Sequence, residues 1–232
     1  MMKLHFYEKF DFKSDFLFKD ISPMEGILIE SQMEVITFIK GQYLFYEGGV
    51  PTGVFYVDSG KVKLSKTGLD GQEQIFYIYK SGDLLGYHAA LGRDRYEDSA
   101  VTMEDCTIRF IPIAQFEHLR KNVSQLNLAL LNNMGHEFGA LANIIGVMAQ
   151  KSQTIRLAVF LLLLEKKYTL PNGDPAGISI SREDLASLIG TSRESLGRSL
   201  KGMKDEGLIQ INNKLILLKD KVKLLAMAHI KA

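Results

Sequence analysis

A chain of 232 residues, 46% hydrophobic and 24% charged, has the length and composition of a soluble globular protein with one large or two modest cores. Its longest apolar run, LAVFLLLL at 157–164, falls well short of the ~20 residues of a membrane span, and the amino terminus lacks the apolar centre of a secretory signal. The single cysteine, Cys106, excludes an internal disulfide and an iron–sulfur cluster held by several cysteines of one chain, and fits a reducing cytoplasm. The formal net charge of +1 is unevenly shared, with residues 1–151 at net −4 and residues 152–232 at net +5, as expected where only the back of a chain meets a polyanion.

In chain order, Ser22-Pro23 suits the entry to a helical segment around Met24–Ile29. From Val35 to Phe110 the pattern is strand-like: VITFIK, YLFYEGG, GVFYVDSG, KVKLSK and QIFYIYK are short runs punctuated by glycine turns about every ten residues. That spacing predicts an antiparallel roll or barrel. In KVKLSK the alternation points Val62 and Leu64 inward and Lys61, Lys63 and Ser65 outward. Pro112 ends the strand region, a short helix over Ile113–Arg120 follows, and a long helical pattern runs from Val123 to Gln150. Within it Leu131, Met134, Phe138, Leu141, Ile145 and Met148 are spaced alternately by three and four, a seam suited to a second copy of the same helix. Gly135, Gly139, Ala142 and Gly146 run beside it and would admit a close backbone, so a homodimer is expected.

A helix from Ile155 to Tyr168 then leads to the loop PNGDPAG and a short strand, ISI. Two helices occupy Ser181–Glu206, and GLIQINNKLILLKD reads as a hairpin turning at Asn212-Asn213, with a last helix entered from Asp220. Capping signals at Ser181-x-x-Asp184 and Thr191-x-x-Glu194, with Gly190 between them, predict two short helices crossing steeply in a helix-turn-helix.

At 100° per residue, Leu196, Leu200 and Met203 share the buried side of the second helix, while Arg193, Glu194, Gly197, Arg198, Lys201 and Lys204 form one outward face. Two arginines and a glutamate there suit guanine and cytosine edges in a major groove, and Gly197 removes a side chain where a groove wall would press. Thr191 and Ser192 at the helix start suit a phosphate, and Lys201, Lys204 and Lys214 add sequence-independent attraction.

The order of roll, long helix and winged helix-turn-helix resembles the CRP/FNR family of bacterial transcription regulators, and TSRESLGRSLKGMKDEGLI carries the most specific part of that resemblance. It implies an α+β fold: a cyclic-nucleotide-binding-like antiparallel β-roll over 1–111, a short helix and dimerisation helix over 112–151, and a winged-helix DNA-binding domain over 152–232. It further implies a homodimer reading a palindromic TGTGA-like site in double-stranded DNA through Arg193, Glu194 and Arg198, with RNA polymerase as a partner and an effector held in the roll.

The stretch GDLLGYHAALGRDRYEDSAVT corresponds to the family's nucleotide cassette, and it departs from the pattern. Tyr87 stands in the place of the ribose-binding glutamate and Asp98 in that of the phosphate-binding arginine. Ser99 alone keeps the end of the motif, and Arg93 and Arg95 have the wrong spacing to substitute. An aspartate repels a phosphate, so cyclic AMP is not expected, and Gly86, Tyr87, His88, Asp98 and Ser99 remain the candidate pocket for another effector. His5, His88, His118, His136 and His229 have no ligand spacing, so no metal site is expected; His88 near the place where some family members ligate haem is thin support for haem. No G-x-S-x-G, P-loop or H-E-x-x-H motif points to an enzyme. The competing reading is a small-molecule-binding signalling module whose helix-turn-helix is vestigial.

Overall fold

The computed structural model describes residues 6–12, 21–169 and 177–228, so the loop PNGDPAG falls outside it except for Gly177, as do His5 and His229. The chain divides into two compact units, Phe12–Gly139, and Met1–Asp11 together with Ala140–Ala232. This division lies inside the long helix, whereas the sequence suggests divisions after 111 and 151. An uninterrupted helix carries no linker signal by which such a boundary could be read.

The first unit opens on helix α1 (Pro23–Glu30), whose start is a reciprocal capping box: Ser22 Oγ accepts from the Glu25 amide, and the Glu25 carboxylate accepts from the Ser22 amide. Eight strands follow: β1 (Glu34–Phe38), β2 (Tyr43–Phe45), β3 (Gly53–Ser59), β4 (Val62–Thr67), β5 (Glu73–Tyr79), β6 (Leu84–Leu85), β7 (Ser99–Thr102) and β8 (Cys106–Pro112). They form two four-stranded antiparallel sheets, ordered β1-β8-β3-β6 and β2-β7-β4-β5. Phe45 of one sheet meets Phe55 of the other with ring centroids 5.8 Å apart, and Tyr96 stacks on Phe45 at 3.9 Å, so the sheets share an aromatic interior.

The alternation expected for KVKLSK holds for Val62 and Leu64, which are buried, and fails for Ser65, which is 3% exposed. The β4–β5 register slips between Leu64 and Ser65, and Glu73 covers the position, accepting from Ser65 Oγ at 2.7 Å and from Lys63 Nζ at 2.7 Å.

Helix α2 (Tyr87–Gly92) lies between β6 and β7, and α3 (Ile113–Asn122) leads into the long helix α4 (Ser124–Gln150). A core of Ile29, Val54, Leu84, Tyr87, Ile111, Phe116, Leu119, Val123, Leu126 and Leu130 ties α1, the first sheet and the start of α4 together. The second unit holds α5 (Gln153–Tyr168), β9 (Ile178–Ser179), α6 (Arg182–Ile189), α7 (Arg193–Asp205), β10 (Ile209–Asn212), β11 (Leu215–Leu218) and α8 (Lys221–Met227). Its three-stranded antiparallel sheet runs β10-β11-β9. The hairpin turns at Asn213-Lys214, one residue later than expected, because Asn212 still pairs with Leu215 and Asn213 takes the positive φ of 53°. No helix among the described residues is long and apolar enough to cross a membrane.

Candidate nucleic-acid interface

Helix α6 is capped by Ser181, whose hydroxyl accepts from the Asp184 amide at 2.9 Å, and it ends at Gly190 in the left-handed conformation with φ of 63°. Helix α7 follows after only Thr191 and Ser192. Its cap is Ser192, which accepts from the Ser195 amide at 3.2 Å, and not the Thr191 of the expected capping box. Thr191 is drawn elsewhere: its hydroxyl donates to Gln153 Oε1 at 2.8 Å.

Two residues of α5 hold this turn, and sequence reading passed over both. Arg156 donates to the carbonyls of Ile189 at 2.8 Å and Gly190 at 3.1 Å, satisfying the end of α6, and to Lys151 at 3.2 Å at the end of α4. Gln153 takes the Thr191 hydroxyl and donates to Ser199 Oγ at 2.8 Å, fixing α7 against α5. An arginine and a glutamine flanking an apolar helix carry no motif; their signal would have been polar residues on the inward side of α5.

Leu196, Leu200 and Met203 are buried at 3% exposure or less, and Arg193, Glu194, Gly197, Arg198, Lys201 and Lys204 are all exposed, as the helical projection requires. Arg193 pairs with Glu183 across the turn, while Arg198 pairs with Glu194 one helical turn back and donates to Ser195 Oγ at 2.9 Å. Both arginines are therefore paired only with exposed carboxylates, and such surface pairs are easily exchanged. A side chain at Gly197 or Gly202 would meet nothing within 4 Å outside its own helix backbone, so packing within the chain does not demand a glycine at either place. Lys214 is exposed at the tip of the wing hairpin.

In the first unit, the candidate effector residues gather around α2. Gly86 caps this helix with φ of 80°, and a Cβ there would stand 3.3 Å from the rings of both Phe45 and Phe55. Tyr87 is fully buried, its hydroxyl accepting from Asn133 Nδ2 of the long helix. His88 Nε2 lies 3.5 Å from Asp98 Oδ1, a charge contact longer than a well-formed hydrogen bond. Ser99 Oγ accepts from the Glu47 amide at 2.9 Å, and Arg95 donates to the Gly48 carbonyl at 2.7 Å, so both serve the adjacent loop. Glu137, one turn beyond Asn133, accepts from Asn133 Nδ2 at 2.9 Å. Burial pushes its carboxyl up to about 7, against the opposing pull of Tyr87, His88 and Asn133. No group of three or more metal-ligating side chains occurs among the described residues.

Residues 35–122 match the cyclic nucleotide-binding domain and residues 155–227 the Crp-like helix-turn-helix domain, in that order along one chain. The chain belongs to the CRP/FNR family of DNA-binding transcription regulators. Among its CRP/FNR relatives, the cyclic AMP receptor protein of Thermus thermophilus is 28% identical over 84% of this chain and 88% of that protein. The transcriptional activator protein anr of Pseudomonas aeruginosa is 25% identical over 82% of this chain and 78% of its own. The structure of FixK2 from Bradyrhizobium japonicum shares the fold with a TM-score of 0.75, at 20% identity over 86% of this chain and 99% of that one.

Two rows of side chains on α4 differ in burial. Of the expected seam, Leu131, Met134, Phe138 and Ile145 are exposed, Phe138 by 76%, and Leu141 and Met148 are half-buried. Another row, Leu126, Leu130, Asn133, Glu137, Ala140 and Ile144, is buried within the chain. Its two polar members break the apolar pattern, so hydrophobic periodicity passes over Asn133 and Glu137.

Proposed function

We propose that this protein is a homodimeric, cytoplasmic transcription regulator whose helix α7 reads a TGTGA-like half-site, twice in a palindrome. Arg193 and Arg198 donate to guanine edges, Glu194 accepts from cytosine, and Lys201, Lys204 and Lys214, with Ser192 at the helix start, engage the backbone. Thr191, whose hydroxyl and amide donate to Gln153 and Ala186, leaves that role to Ser192. The observation that carries the reading is the outward face of α7: every candidate base reader is exposed, on a helix anchored by buried Leu196, Leu200 and Met203. The exposed row Leu131, Met134, Phe138 and Ile145 supports pairing of α4 with its counterpart in a second copy, since contiguous apolar surface of this kind commonly marks an interface.

The cluster around Gly86, Tyr87, His88, Asp98 and Ser99 is the sensor site. With Asp98 paired to His88 and Glu137 close by, it presents acidic groups where a cyclic phosphate would need a cation, which supports an effector other than cyclic AMP. RNA polymerase is the partner through which bound protein acts on transcription, and no enzymatic step is assigned. Gel-shift titrations of cognate and random duplexes at several salt concentrations test the DNA reading: a large preference for the cognate sequence supports it, and equal affinities favour a signalling module with a vestigial helix-turn-helix.

A further inference from the structure

Asn133 and Glu137 lie in the buried row of α4 beside Tyr87, in the same unit as the roll. Glu137 is 8% exposed, and a carboxyl group so placed loses most of its hydration. The titratable groups facing it come from several elements: Tyr87 and His88 from α2, Asp83 before β6, with Tyr79 of β5 and Asp98 beyond. His88 is the one imidazole in this set, and Asp83 and Asp98 add negative charge. About 100° round the helix from this pair stand Met134 and Phe138 of the exposed seam, each the next residue in the chain after Asn133 and Glu137.

We propose that Glu137, Tyr87 and Asn133 form a proton-operated latch between the roll and the long helix: with the carboxyl neutral this segment of α4 stays seated on Tyr87, and with it ionised the segment loosens and alters the seam that Met134 and Phe138 present. The driving force is hydration. The neutral acid stays buried beside Asn133 and Tyr87 at little desolvation cost, while the carboxylate, though it accepts from Asn133 more strongly, gains more by reaching water.

The direction of the pH effect follows from burial. The folded-state value, raised from 4.5 to about 7, means that the fold keeps a proton which the unfolded chain has already released. The stabilisation is complete below the lower value and is lost as pH rises through the upper one. His88 acts with the same sign: burial works against its charge, but the nearby carboxylates of Asp98 and Glu137 outweigh this and raise its pKa. The test must separate the two groups.

The latch rests on reading the roll as the sensor, yet its first readout needs neither DNA nor a dimer. Amide hydrogen exchange over residues 130–140 of the full chain, corrected for intrinsic rates, would be followed from about pH 6 to about pH 8, together with the infrared band of a protonated carboxyl. Wild-type protein should lose the band and about tenfold of its protection across that range; Glu137→Gln should lack the band and hold its protection nearly constant. Tyr87→Phe removes a donor to the carboxylate, so its transition should move to higher pH. A flat wild-type profile, a Glu137→Gln profile as steep as wild type (which would assign the effect to His88), or a Tyr87→Phe midpoint that does not move would each overturn the latch. Affinity for a selected duplex should follow the same transition; failure to select any duplex would count against the DNA reading and leave the exchange result to decide the latch.

Discussion

Gly197 sits in the middle of a helix, where glycine costs about 1 kcal/mol relative to alanine, and nothing in the chain would touch a methyl group placed there. A groove wall pressed against this face by bound DNA would account for it. Gly197→Ala should raise stability toward chemical denaturation by up to about 1 kcal/mol while weakening binding to the cognate duplex, a pair of opposite signs that a merely tolerant surface position would not give. The charged neighbours should divide by role. Arg198→Ala should cost about 1–3 kcal/mol on the cognate duplex and relax the preference at one guanine, read by competition among single-base variants of the site. Lys204→Ala should weaken all sequences alike and reduce the salt slope by about one. Equal losses for Arg198→Ala on cognate and random DNA would remove the arginine from its assigned place.

At the scale of elements, the helix-turn-helix depends on α5 as much as on its own caps. Arg156 satisfies carbonyls at the ends of both α6 and α4, and its loss leaves them without their charged donor. Arg156→Ala should lower stability by about 1–3 kcal/mol in denaturant titrations, with Arg156→Lys recovering only part because an ammonium cannot span the same carbonyls. The helix-turn-helix itself was legible in the sequence through Gly190, the Ser181 cap and the position of Leu196, Leu200 and Met203, because local backbone chemistry and periodicity determine such a unit. The cap shifted from Thr191 to Ser192 because Gln153, distant in sequence, takes the threonine hydroxyl. Ser65 was misread for a similar reason: a register slip and the covering Glu73 are properties of two strands together. Asn133 and Glu137 were not found at all, since a polar pair inside a heptad looks like solvated surface until the roll is placed over it.

For the molecule as a whole, the net −4 of residues 1–151 and the net +5 of residues 152–232 confine attraction for DNA to the part that carries α7. The exposed seam of α4 offers the surface through which two copies would present two such helices. Phe138→Asp should shift the protein toward monomer in sedimentation experiments and abolish binding to a full palindrome while leaving each copy folded, because Phe138 is 76% exposed and makes little of the chain's own core. Two recognition helices related by a two-fold axis meet successive major grooves only when their half-sites lie about one DNA turn apart, ~34 Å. Selection of bound duplexes from a random library with purified protein tests this most directly. The account predicts enrichment of a two-fold symmetric sequence with half-sites about one turn apart, lost when Arg198 is replaced by alanine. Enrichment of no sequence by a folded dimer, with or without cell extract as a source of effector, would contradict it.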